Sequence, residues 1–131
     1  MLDVDFNPFN DYVVASCSED CKVMVWSIPE GGLKEQLSQP TVTLSGHGRK
    51  VGGVLFHPTA ENLLASYSFD LTVKLWDVEK GVERQELSGH IDSIQSVCYN
   101  YNGNLMATTC KDKKLRVFDI RSNQIVHVSY L

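Results

Sequence analysis

Residues Gly53 to Val78 read GVLFHPTAENLLASYSFDLTVKLWDV. Short runs rich in β-branched and aromatic residues are bounded there by turn-forming ones, and no 3.6-residue apolar period is sustained. Asp70 stands six residues before Trp76, and a Gly-His pair, Gly46-His47, stands upstream with 29 residues between His47 and Trp76 in the count. A fixed set of spacings like this invites a search for copies, because a missed repeat misassigns the whole fold.

Two further copies line up. The first is LDVDFNPFNDYVVASCSEDCKVMVWSI, Leu2 to Ile28, and the third is SVCYNYNGNLMATTCKDKKLRVFDI, Ser96 to Ile120. Val4, Val54 and Val97 align, as do Phe6, Phe56 and Tyr99; Asp20, Asp70 and Asp112; and Trp26, Trp76 and Phe118. The aspartate precedes the aromatic by six residues every time, and Gly89-His90 repeats the Gly-His pair. The repeat cores fall at about 2–28, 46–78 and 89–120, and a polar insert, PEGGLKEQLSQP from Pro29 to Pro40, lengthens the first period. Runs such as Tyr12 to Ser16, Lys22 to Trp26 and Thr41 to Leu44, with turns at Asn10-Asp11, Glu19-Asp20, Asn102-Gly103 and Lys111-Asp112, predict four strands per copy. Leu33 to Ser38 is the one place where a turn of helix is expected.

Composition narrows the function. Among 131 residues, 43% are apolar, 12 are Lys or Arg and 16 are Asp or Glu, for a net charge of -4. That balance gathers no nucleic acid through a global positive field, so any polyanion must meet a local patch. No apolar run reaches the roughly 18 residues of a membrane span, and Met1 leads into LDVDF without a secretion signal. Cys17, Cys21, Cys98 and Cys110 show neither the density nor the C-x-x-C pairing of a disulfide or zinc framework, so a reducing, cytoplasmic compartment is expected.

The Gly-His, the 28- to 29-residue core and the closing Trp76-Asp77, altered to Trp26-Ser27 and Phe118-Asp119, resemble WD repeats. The resemblance implies an all-β fold: about three four-stranded antiparallel blades of an incomplete β-propeller, a fragment of a ring that needs four to eight blades to close. A buried indole N–H needs an acceptor, and a buried imidazole needs partners on both nitrogens. WD blades meet those needs with a tryptophan to serine or threonine to histidine to aspartate chain. In the second copy the resemblance assigns this chain to Trp76, Ser66, His47 and Asp70, and in the third to Thr108, His90 and Asp112, with Phe118 unable to donate. The first copy offers Trp26, Ser16 and Asp20 with no histidine; Ser18 or Ser68 are alternatives to Ser16 or Ser66.

SEDCKVMVWSIPEGGL (Ser18 to Leu33), GHGRKVG (Gly46 to Gly52), FHPTAENLLAS (Phe56 to Ser66) and CKDKKLRVFDIR (Cys110 to Arg121) are similar to coronins, actin-filament-binding propeller proteins. SYSFDLTVKLWDV (Ser66 to Val78) with the PEGG insert is similar to their long, tandem-propeller, pod-type members. The resemblance implies a non-catalytic scaffold that binds actin filaments and, on the propeller surface, other proteins, located at the cytoskeleton with an association with Golgi or vesicle traffic. A generic WD-repeat scaffold unrelated to actin is the alternative.

Other constellations read as structural. His47, Ser66 and Asp70 could pass for a nucleophilic triad, but the set recurs in register in the third copy, as a structural network does and a single active site does not. Cys17, Cys21, His47 and His57 lack a second close pair for zinc, and GHGRKVGG lacks a phosphate-loop pattern, so no metal or cofactor is expected. Asp3 and Asp5, alternating with Leu2, Val4 and Phe6, are expected on the wetter strand face. The positive charges concentrate: Arg49 and Lys50 follow one Gly-His, and Lys111, Lys113, Lys114, Arg116 and Arg121 cluster in the third copy, a candidate patch for an acidic partner surface.

Overall fold

The computed structural model describes residues 3–28, 41–60 and 62–130, with the Asp11 side chain left out. The insert and the expected helical turn within it lie outside the described residues.

Among the described residues, twelve strands form three four-stranded antiparallel sheets, each following chain order. The first blade holds β1 (Asp3–Asn7), β2 (Asn10–Cys17), β3 (Lys22–Ser27) and β4 (Val42–Ser45). The second holds β5 (Val51–Phe56), β6 (Leu63–Ser68), β7 (Val73–Asp77) and β8 (Val82–Leu87), and the third β9 (Ile94–Tyr99), β10 (Leu105–Cys110), β11 (Lys114–Asp119) and β12 (Gln124–Tyr130).

Each copy closes its β2–β3-type hairpin in the same way. The Oδ1 of Asp20, Asp70 and Asp112 accepts the backbone N–H two residues on, from Lys22, Thr72 and Lys114, at 3.0–3.1 Å. The residue between takes a left-handed conformation: Cys21 (φ 69°), Leu71 (φ 72°) and Lys113 (φ 66°). An Asx turn of this kind explains why aspartate recurs at one spacing, since its short carboxylate replaces a backbone acceptor. These hairpins and the Gly-His segments lie at one edge of the blades, here the upper edge; the other hairpins form the lower edge.

Two apolar cores glue the blades together. Ala15, Cys17, Val23, Val25 and Leu44 of the first blade meet Val51, Val54, Phe56, Leu64 and Trp76 of the second. Leu63, Ala65, Val73, Leu75 and Leu87, on the other face of the second blade, meet Ile94, Met106 and Phe118 of the third. Successive strand residues point to opposite faces, so β7 sends Trp76 one way and Val73 and Leu75 the other. In the second blade β5, β6 and β7 are therefore buried on both faces, while the charged outer strand β8 stays largely exposed. Burying each large side chain contributes about 1.5–3 kcal/mol.

Asp3 and Asp5 depart from expectation. They are turned toward the second blade, while Val4 and Phe6 are 49% and 61% exposed. The cause is the free edge of β5: Asp3 Oδ2 accepts the Val54 N–H at 3.2 Å and Asp5 Oδ2 accepts the Phe56 N–H at 2.9 Å. Unpaired strand amides are strong donors, and two carboxylates next door satisfy them better than water reaching into a joint.

Between the second and third blades, His57 acts as a peg. Its Nδ1 accepts the Ala60 N–H at 2.9 Å and the Thr59 N–H at 3.1 Å, which leaves Nε2–H to donate to the Gly103 carbonyl at 2.9 Å. Tyr99 meets the ring edge-on at 4.8 Å between centroids.

Candidate functional site

Four groups in the second blade form a continuous hydrogen-bonded chain. Trp76 Nε1–H donates to Ser66 Oγ at 2.8 Å, the Ser66 hydroxyl meets His47 Nε2 at 2.7 Å, and His47 Nδ1 meets Asp70 Oδ2 at 3.0 Å. With Nδ1–H donating to the Asp70 carboxylate, Nε2 is left to accept from the serine hydroxyl. Asp70 is anchored further by Gly48 N–H at 3.1 Å and Thr72 Oγ1–H at 2.6 Å. Burial works against its charge, but these donors, with His47, hold its carboxyl below the ordinary range. For His47 burial wins over the attraction of Asp70, and the ring is held neutral, below its ordinary value. Ser66 is 1% exposed and roofed by the indole, so no substrate reaches its hydroxyl. The chain holds Trp76 and the upper loop in place. Ser68, the alternative, instead donates to the Lys50 carbonyl at 2.8 Å.

The other blades are variations. In the first, Trp26 Nε1–H donates to Ser16 Oγ at 2.9 Å, while Asp20 accepts from Ser18 Oγ at 2.5 Å and is not joined to Ser16. In the third, His90 Nε2 meets Thr108 Oγ1 at 2.8 Å, with the Phe118 ring beside the imidazole. Asp112 does not complete this set, contrary to expectation: its Oδ2 accepts from Arg116 Nη2 at 2.7 Å, and His90 Nδ1 is left buried without a hydrogen bond. The reason lies across the sheet. Lys74, equivalent to Arg116, sits opposite Glu86 in register and bonds Glu83 and Glu86, leaving Asp70 free for His47. Arg116 sits opposite Val128, which has no charge to offer, and turns to the hairpin aspartate instead. The guanidinium then holds Asp112 down at about 2, while burial and the Arg116 charge push His90 down to about 4.

The basic patch is correspondingly smaller than expected. Arg116 is 3% exposed and neutralised, so it leaves the patch. Arg121 follows β11 at the lower edge, away from the others. Lys114 is half-buried, with Nζ 5.2 Å from the Tyr130 ring centroid. Arg49, Lys50, Lys111 and Lys113 remain exposed together at the upper edge of two neighbouring blades. Beside Arg49 opens a cleft of about 370 Å³, lined by Phe69, Leu71 and Ile91 and also by the carboxylate-bearing Asp70 and Asp92. Lys50 Nζ lies 4.6 Å over the Phe69 ring, and Ile91 is 69% exposed. Sequence reasoning missed Phe69 and Ile91; the available signal was their place beside Asp70 and His90, in hairpin and loop tips where apolar residues bury nothing of their own blade.

The candidate metal ligands stand apart. Cys17 is packed in the first joint, where burial above all, with the Asp3 charge, pushes its thiol up to about 11. Cys21 is in a hairpin, His47 in its network and His57 at the lower edge.

Three four-stranded blades, the second with a complete tryptophan, hydroxyl, histidine and aspartate network, define a WD-repeat β-propeller segment, and the chain belongs to that family: the family described as WD domain, G-beta repeat, matches residues 1–27, 38–77 and 81–119. Within it, this chain is a homologue of the coronins. It is 52% identical over 127 residues to Coronin-A of Dictyostelium discoideum, covering 97% of this chain and 28% of that protein. It is 44% identical over 131 residues to human Coronin-2A, covering 96% and 25%. The chain thus spans about a quarter of the length of these relatives. Rat Coronin-7, of which it spans 14%, is 40% identical over 125 residues, so the identities do not set this long relative above the shorter ones. The crystal structure of the WD40 domain from Toxoplasma gondii coronin superposes with a TM-score of 0.93 at 34% identity, covering 98% of this chain and 33% of that one.

Proposed function

We propose that the chain is part of a non-catalytic, actin-filament-binding coronin-like scaffold, in which the upper-edge patch of Arg49, Lys50, Lys111 and Lys113 contributes to meeting an acidic filament surface. The single observation that carries the reading is the high identity to coronins over nearly the whole chain. The geometry supports it. Four exposed cations stand together at the upper edge of a chain whose net charge is negative, and the serine, histidine and aspartate set of the second blade is sealed beneath an indole. A role in Golgi or vesicle traffic, and docking of other proteins on the propeller surface, belong to the same proposal.

Surface cations of this kind act on encounter rate and salt sensitivity more than on total affinity. In the complete protein, Lys111→Glu with Lys113→Glu weakens co-sedimentation with actin filaments several-fold at low salt, and the difference shrinks as salt is raised. Filament binding unaffected by the reversal removes the patch from the interface; no filament binding by the complete parent protein leaves a generic WD-repeat scaffold as the reading.

A further inference from the structure

Arg84 on β8 and Arg121 just after β11 are exposed, and among the described residues neither guanidinium has an ion pair or hydrogen-bond partner, in contrast to Arg116 on Asp112. The two arginines line one cleft of about 480 Å³ at the lower edge, Arg84 from the second blade and Arg121 from the third. Bonds across the joint between these blades fix its walls: Gln85 Nε2–H donates to the Ile120 carbonyl at 2.9 Å, and His57 Nε2–H to the Gly103 carbonyl at 2.9 Å. Leu63, Leu105 and Ile120 give the cleft an apolar lining. One carboxylate, Asp119, also lines it, and Asp77 lines the recess that adjoins at Arg84. Both are engaged by hairpin amides. Asp119 Oδ1 accepts the N–H of Arg121 at 3.0 Å and of Ser122 at 3.4 Å, and Asp77 Oδ1 accepts the N–H of Glu79 at 3.0 Å and of Lys80 at 3.1 Å. A single unpaired arginine on a surface is ordinary; two from different blades lining one recess, with no carboxylate taking either, are a charge arrangement without its counter-ion.

We propose that this cleft receives a phosphorylated side chain of a partner protein, with Arg84 and Arg121 binding its oxygens from the two walls and the apolar lining taking the residue beside it. A phosphate monoester carries a charge of about -2 at neutral pH and three strong acceptor oxygens, which matches two guanidinium forks better than one carboxylate does. Nucleic acid and anionic membranes present rows or planes of phosphate and are met by longer runs of cations. Here Asp77, Glu79 and Asp119 stand at the same edge as the two arginines and repel an extended polyanion, so the recess suits one oxyanion on a narrow stalk. The site is at the edge opposite Arg49, Lys50, Lys111 and Lys113, and the inference is independent of the actin reading.

The test uses the complete parent protein and, as probe, a pool of short fluorescent peptides with a fixed central phosphoserine and randomised flanks, followed by anisotropy beside the same pool with serine. The phosphoserine pool is expected to bind at least about tenfold more tightly. Arg84→Gln and Arg121→Gln each remove about tenfold of that binding and leave the serine pool unchanged. Arg121→Lys, which keeps the charge without the fork, recovers part of it. Both side chains are exposed, so an unchanged thermal midpoint in each variant separates loss of the site from loss of the fold. Equal binding of the two pools overturns the proposal, as does a preference that survives both glutamine substitutions. It is overturned too if the preference disappears with Lys111→Glu and Lys113→Glu in place of the arginine changes, or if vesicles carrying phosphatidylinositol phosphates bind more tightly than the phosphoserine pool.

Discussion

A histidine with one nitrogen unserved reports on its neighbours. His90 takes up a proton only near pH 4 in the folded chain, against about 6.5 when unfolded. Between those values the unfolded state holds more protons, so the stability contributed by a neutral His90 falls as pH drops from about 6.5 to 4. Asp112 runs the same way at lower pH, its contribution being lost as pH falls from the ordinary carboxylate range through about 2. Arg116 connects the two, since its charge lowers both groups. Replacing Arg116 by methionine, the residue the first blade carries at this position, raises the pKa of His90 in an NMR titration and raises that of Asp112 too. An unmoved His90 in that variant means burial alone sets its value. At this scale the sequence was informative where spacing dictates contact, as with Trp76, Ser66, His47 and Asp70. It was misleading where a partner on another strand decides: nothing near Asp112 in the chain says that Arg116 faces Val128 while Lys74 faces Glu86.

Strands and hairpins were legible because their chemistry is local. The aspartates at 20, 70 and 112 announce Asx turns, and alternating apolar residues announce the faces. Alternation does not say which face is wet, however, and for β1 the expectation was reversed because the amides of β5, fifty residues away, claim the carboxylates of Asp3 and Asp5. The β9–β10 turn shows the reverse situation, a small residue demanded by a distant one. Gly103 has φ +77° and a Cβ there would stand 2.2 Å from His57 Cε1. Gly103→Ala therefore combines backbone strain with a clash against the peg between blades, and destabilises by roughly 2–4 kcal/mol. Thermal denaturation of the protein measures it, and a loss below about 0.5 kcal/mol shows that the peg withdraws without cost.

Across the whole molecule, burial is graded by blade. The second blade is covered on both faces, while β1 and β12 carry their apolar residues toward solvent. Backbone amides buried between two packed faces open only with the global transition, whereas those of outer strands exchange through local fraying. Hydrogen exchange is expected to leave β6 and β7 protected longest and to release β12 first, by at least tenfold; uniform protection across the three blades contradicts the gradient.

The two carboxylates on β1 have a consequence beyond their hydrogen bonds. The strand they cover, Val51-Gly-Gly-Val-Leu-Phe56, is uncharged and free of proline, so nothing in its own sequence blocks the addition of a foreign strand. Its free edge is where a foreign strand would add, and Asp3 and Asp5 occupy those donors with negative charge. They stand as charged gatekeepers against amyloid-type templating on the segment they cover.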